Sequence, residues 1–129
     1  MKLTDNFKLE EFECRDGSEM PPHVFKNVLK LSTALQTIRD CIGYPIKITS
    51  AYRSLEYNRM IGSKDTSQHV LGKASDLQVK EMIPIELYET IEALIDLEYI
   101  PEGGLGLYNT FVHYDIRGYK ARWDNRINK

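Results

Sequence analysis

The chain has 129 residues, 42% hydrophobic and 28% charged, with a formal net charge of -2. That length suits a single domain, residues 1–129, able to bury roughly two-thirds of its unfolded surface without disulfides. The near-neutral charge gives no electrostatic ground for nucleic acid or an anionic membrane as an obligatory partner, and a monomer is the expectation. The segment Met1 to Asn6 lacks the apolar run of a secretory signal, so the chain as written is expected to be cytoplasmic. Cys14 and Cys41 have neither metal-type spacing nor the density of a disulfide framework, and are expected to be free, packed thiols.

Between Thr4 and Glu13, Phe7, Leu9 and Phe12 predict an extended start and one helical turn whose aromatic rings anchor that end. Cys14 to Met20 reads as a polar turn around Asp16-Gly17, and Pro21-Pro22 then pre-sets a helical first turn. From His23, an exposed starting residue, Val24, Phe25, Val28, Leu31, Leu35, Ile38 and Ile42 recur at helical spacing, which predicts a long scaffold helix ending at Gly43. Pro45 to Ser50 alternates Ile46 and Ile48 with polar residues, as a strand leading into Tyr52-Arg53 does. Ser54 can cap a short helix running to Met60, with Glu56 to Arg59 on its exposed face. Gly62 to Thr66 is a flexible lead-in.

The stretch Ser67 to Asp76 carries the first chemical signal. His69 follows a polar loop, while Asp76 sits within Ala74 to Val79, whose alternation predicts a half-buried strand. A reversal at Gly72 can bring imidazole and carboxylate together, a nitrogen and oxygen pair typical of zinc, which needs a third protein ligand in catalytic sites. The best source of that ligand is the strand-like segment Phe111 to Asp115, with its own His and Asp.

Beyond Asp76, Lys80 to Ile83 leaves the strand, and Pro84 opens a second helix. Ile85, Tyr88, Ile91, Leu94 and Ile95 face inward there, and Glu86, Glu89, Glu92 and Asp96 form a solvated face. Pro101 to Gly104 is a turn. Leu105 to Tyr108 and Phe111 to Ile116 then form a hairpin joined at Asn109-Thr110. Alternation puts Phe111, His113 and Asp115 on one face of the second strand and Val112 and Tyr114 on the other. The expected fold is α+β: a small antiparallel sheet around Ile46, Leu77, Leu107 and Val112, with the helices packed on one side.

Ser50-Ala51-Tyr52-Arg53-Ser54, Ser67-Gln68-His69 with Gly72, Ala74 and Asp76, Gly104 to Tyr108, Phe111 to Asp115 and Ala121-Arg122-Trp123 together resemble the M15 family of zinc peptidoglycan peptidases. Within it the likeness is to short phage and bacterial members, which include D-alanyl-D-alanine carboxypeptidases and cell-wall endopeptidases. The resemblance implies the hedgehog and D-Ala-D-Ala peptidase fold, one Zn2+ ion, a peptidoglycan stem peptide as partner, and amide hydrolysis by a metal-activated water. It implies His69, Asp76 and His113 as ligands, with Asp115 as base or as the carboxylate that orients the site. The other arrangement makes Asp115 the third ligand and His113 the base. Arg53 would grip a substrate carboxylate or carbonyl, the alternative being a structural ion pair; its planar fork suits either. Ser67 and Gln68 would line the cleft and Tyr108 would hydrogen-bond the peptide. Trp123 either walls the cleft or packs with Arg122, and the role of Arg117 stays open. The family base, a Glu or His shortly before the last ligand, is replaced here by Thr110 and Phe111. That replacement keeps a zinc-binding but catalytically silent wall-recognition or phage structural module as the rival. A cell-wall substrate would be reached after release from the cell, as by a phage or prophage lysis enzyme.

Overall fold

The computed structural model describes residues 1–128, so Lys129, the last residue of the expected domain, lies outside the described part. The chain opens with a backbone bridge between Lys2 and Lys8, then a single 3-10 turn at Leu9–Phe12. Phe7 and Phe12 are buried with ring centroids 6.3 Å apart. The Phe12 carbonyl accepts the Tyr52 N–H at 3.0 Å, which ties this anchor to the loop that carries Arg53.

Helix α1, Pro22–Ile42, begins at the proline pair and buries Val24, Val28, Leu31, Leu35 and Ile38. It ends where Gly43 turns left-handed at φ 74°, its N–H donating to the Arg39 carbonyl. Strand β1, Lys47–Ser50, leads to α2, Leu55–Met60, capped by the Ser54 hydroxyl accepting from the Tyr57 N–H at 3.1 Å. Strand β2 is Ala74–Gln78, and helix α3, Pro84–Asp96, buries Leu87, Ile91, Leu94 and Ile95. Strands β3, Gly104–Leu107, and β4, Val112–Asp115, form the expected hairpin, closed by the Tyr108 N–H to the Phe111 carbonyl at 3.1 Å.

The sheet has the order β1-β2-β4-β3-β5, and the fold is α+β as expected. Its first four strands pair antiparallel. The fifth, β5 at Ala121–Asp124, was not anticipated and runs parallel to β3, so the sheet is mixed. Its four residues do alternate, Ala121 and Trp123 with Arg122 and Asp124, but the run is too short to mark a strand by itself. What holds it is the open edge of β3, whose backbone groups need partners: the Asn125 N–H reaches the Leu107 carbonyl at 2.8 Å.

One sheet face belongs to the core. Leu77, Leu105, Leu107, Val112 and Tyr114 join the buried faces of α1 and α3 in one apolar cluster. Three expectations about exposure need correcting. Asn58 of α2, expected on the exposed face with Glu56 to Arg59, is fully buried. Cys14 is buried, but Cys41 falls on the solvent side of the last turn of α1 and is exposed. Glu86, Glu89 and Asp96 are solvated, whereas Glu92 is half-buried and holds Arg122 of β5 through contacts of 2.7 and 3.0 Å. Among the described residues no helix is long and apolar enough to cross a membrane.

Candidate metal centre

The opposite sheet face carries the site. Register alone builds most of it: Ser50 lies opposite Asp76, Asp76 opposite His113, His113 opposite Gly106, and Gly106 opposite Trp123, one row across all five strands. His69 is delivered by the loop before β2. That loop reverses at Gly72, whose φ is 72° and whose backbone lies so close to α1 that an added Cβ would fall 2.6 Å from Val24 Cγ1. A side chain there would lift the loop, and His69 with it.

His69 Nε2 lies 3.4 Å from Asp76 Oδ1, and His113 Nδ1 lies 3.2 Å from the same oxygen. One donor atom from each residue falls within 4.8 Å of the other two, and all three side chains are buried. Each imidazole is oriented through its other nitrogen. His69 Nδ1 sits 2.7 Å from the Ala51 carbonyl, which can only accept, so Nδ1 carries the proton and Nε2 is left to face Asp76. His113 Nε2 sits 2.7 Å from Asp115 Oδ2, leaving Nδ1 on the Asp76 side.

The carboxylates on either side of His113 set the charge balance of the site. Burial opposes ionisation of Asp76, but the His113 and His69 rings, when protonated on the side that faces it, outweigh burial and hold its carboxyl well below the usual carboxylate range. Asp115 follows the same pattern, burial being outweighed by His113 and Arg117. For His113, burial favours the neutral ring, yet hydrogen bonds to Asp115 and Asp76 prevail and raise its pKa.

The three residues open onto a cleft of about 800 Å³ that is also lined by Arg53, Ser67, Gln68, Tyr108, Arg117 and Trp123. Arg53 is held by Ser50 Oγ at 3.1 Å and Asn58 Oδ1 at 3.3 Å, and stands 3.5 Å from Asp76 Oδ2. It is therefore both an ion-pair partner of Asp76 and part of the cleft wall. Ser67 Oγ accepts the His69 N–H at 3.3 Å, fixing the loop. Gln68 Oε1 is buried without a hydrogen-bond partner among the described residues. The Trp123 indole lies across Gly106, its ring centroid 5.0 Å from that of His113, so of its two anticipated positions it takes the cleft wall.

A family model described as peptidase M15 matches residues 5–115. The chain belongs to the peptidase M15 family. No curated protein matches it. M15 peptidases are metal-dependent hydrolases, and this one has a three-residue cluster able to hold a metal.

The donor chemistry of this M15 peptidase fits a divalent ion. Two imidazoles are locked in the tautomers that turn a nitrogen toward a shared carboxylate, and each lock is an outer hydrogen bond of the kind that orients metal-binding histidines. Asp115 occupies that outer position. It is fully buried, and besides His113 it accepts the Gly104 N–H at 2.8 Å and the Arg117 guanidinium at 2.9 and 2.7 Å. It lies behind His113, outside the lining of the cleft. Arg117 was left open by sequence reasoning, although the period-two spacing His113, Asp115, Arg117 places all three on one side of an extended chain. Asn58, buried beneath Arg53, carried no such signal.

Proposed function

We propose that this M15 peptidase is a zinc-dependent hydrolase of peptidoglycan stem peptides, acting as a D-Ala-D-Ala carboxypeptidase or a cell-wall endopeptidase. The observation that carries the proposal is the buried cluster of His69, Asp76 and His113 at the base of a cleft walled by Arg53 and Arg117. Two nitrogens and one oxygen form a catalytic-type zinc set, and zinc held there would act as a Lewis acid on the scissile carbonyl and activate water.

The protein's own groups divide the remaining work. Arg53, braced by Ser50 and Asn58, presents guanidinium N–H groups to a carboxylate or carbonyl of the peptide. Asp115 keeps the His113 ring in place and its Nε2 protonated; with both oxygens engaged behind the ring, it serves as the orienting carboxylate rather than the base. Asp76 is the only carboxylate among the cleft-lining residues. That supports the second reading, a zinc-binding module that recognises the wall without cutting it.

Metal analysis of the purified protein followed by mass spectrometry of digested muropeptides tests both readings. About one zinc per chain with loss of a single alanine marks a carboxypeptidase, and a broken stem or cross-link marks an endopeptidase. Bound zinc with intact muropeptides selects the silent module. Release from the cell, as with a phage or prophage lysis enzyme, would bring the protein to this substrate, and turbidity loss of wall suspensions on external addition checks it.

A further inference from the structure

Residues 116–128 lie beyond the segment that the family model matches, yet they complete one wall of the cleft. Strand β5 lays the Trp123 indole over Gly106, where an added Cβ would come within 2.2 Å of Nε1. From there Trp123 Nε1–H donates to the Tyr108 hydroxyl oxygen at 3.0 Å, and Asn125 Nδ2–H reaches the same oxygen at 3.4 Å. The Tyr108 ring is fixed as well, stacked on Phe111 with centroids 4.2 Å apart and planes 10° from parallel. Tyr108 continues the alternation of Gly104 and Gly106 and lines the cleft with the metal-binding cluster.

A phenol oxygen that accepts two N–H groups has one hydrogen-bonding capacity left, its own proton. Among the described residues the Tyr108 hydroxyl makes hydrogen bonds only as an acceptor. We propose that Tyr108 presents a donor-only hydroxyl to an oxygen of the bound peptide, and that Trp123 and Asn125 are the positioning residues that make it so. The proposal deepens the peptidase reading and rests on it for the substrate class. The hydroxyl selects for a carbonyl or carboxylate oxygen and against an N–H at that point of the cleft, because a donor facing a donor is left unpaired.

The test is binding of N-acetyl-D-alanyl-D-alanine to metal-free and zinc-loaded protein by calorimetry. For wild-type and Tyr108→Phe protein it is read in parallel from intrinsic fluorescence, since Trp123 is the only tryptophan in the sequence. Tyr108→Phe should weaken binding roughly three- to tenfold in both forms, the worth of one hydrogen bond. Trp123→Phe keeps a ring beside His113 but removes the indole N–H. It should weaken binding about threefold in the wild-type background and not at all in the Tyr108→Phe background, a coupling that a purely structural role would not produce. Wild-type protein that fails to bind the peptide, Tyr108→Phe protein that binds as tightly as wild type, or additive losses in the double variant would overturn the proposal. Tyr108-dependent binding without cleavage leaves it standing and rejects hydrolysis; cleavage indifferent to Tyr108 does the reverse.

Discussion

The two faces of the sheet are built from alternate residues of the same strands, yet they follow opposite rules. Leu77, Val112 and Tyr114 look into an apolar core with the helices, whereas their chain neighbours Asp76 and His113 look toward the cleft. On the core side each residue is held by many small contacts and any one is replaceable by a similar shape. On the cleft side few residues matter and each is aimed by a named partner: Ala51 for His69, Asp115 for His113, Asn58 for Arg53. A period of two thus lets one short strand serve stability with one side and chemistry with the other.

Adjacent substitutions break this contrast most sharply. Asp76→Ala removes the oxygen shared by both histidines, so metal binding should disappear and any hydrolysis fall to background. Metal analysis and muropeptide digestion read the loss, with circular dichroism confirming that the domain stays folded. His69→Ala should match it. Leu77→Ala, one residue away on the other face, should behave in the opposite manner. Leu77 is fully buried, so its truncation should cost about 2–5 kcal/mol in denaturant unfolding, while the folded fraction still binds metal at the wild-type stoichiometry. Metal loss in the Leu77 variant would show that the faces are not independent.

Asp115→Asn probes the outer layer, where the effect should be intermediate. The amide keeps the volume but discards the charge that holds His113 and pairs with Arg117. Metal should remain bound, with affinity or turnover lower by about 10- to 100-fold, the usual scale for an outer-layer partner of a ligating histidine. Competition with a chromophoric chelator measures it. Complete loss of metal would instead make Asp115 a ligand, the alternative that the sequence left open.

Much of this contrast was legible before the structure. Alternation around Asp76 and His113 marked strands with one functional side, the Pro21-Pro22 pair and Gly43 bracketed α1, and Gly72 marked the reversal that delivers His69. Local pattern carries such features because they depend on residues near in sequence. What stayed hidden depends on distant ones. The Ala51 carbonyl that sets the His69 tautomer is a backbone group without a side-chain signature. Strand β5 exists because β3 offers it an edge and because Glu92 and Glu102 receive Arg122; the alternation within its own four residues is too short to announce it. Arg53 was expected either on substrate or in an ion pair; it faces the cleft while paired with Asp76, since five N–H groups can serve both.

The smallest expected effect falls toward the row's far end, where Gly106, like Gly104 on the same side of β3, has no room for a side chain. An alanine methyl there would meet the indole of Trp123, with its nearest atoms 2.2, 2.3 and 2.7 Å away. Strand β3 cannot retreat, because it is paired on both edges with β4 and β5. The half-exposed indole is the part free to swing, giving up its hydrogen bond to Tyr108. Gly106→Ala should therefore cost only about 1 kcal/mol, near the net worth of one such bond, and should shift Trp123 emission to the red as the ring enters water. Metal binding should be unchanged, because His113 is held from behind by Asp115 and not by the indole above it. A loss of metal in this variant would mean that the ring packing, rather than the hydrogen bond to Asp115, sets the angle of the His113 imidazole.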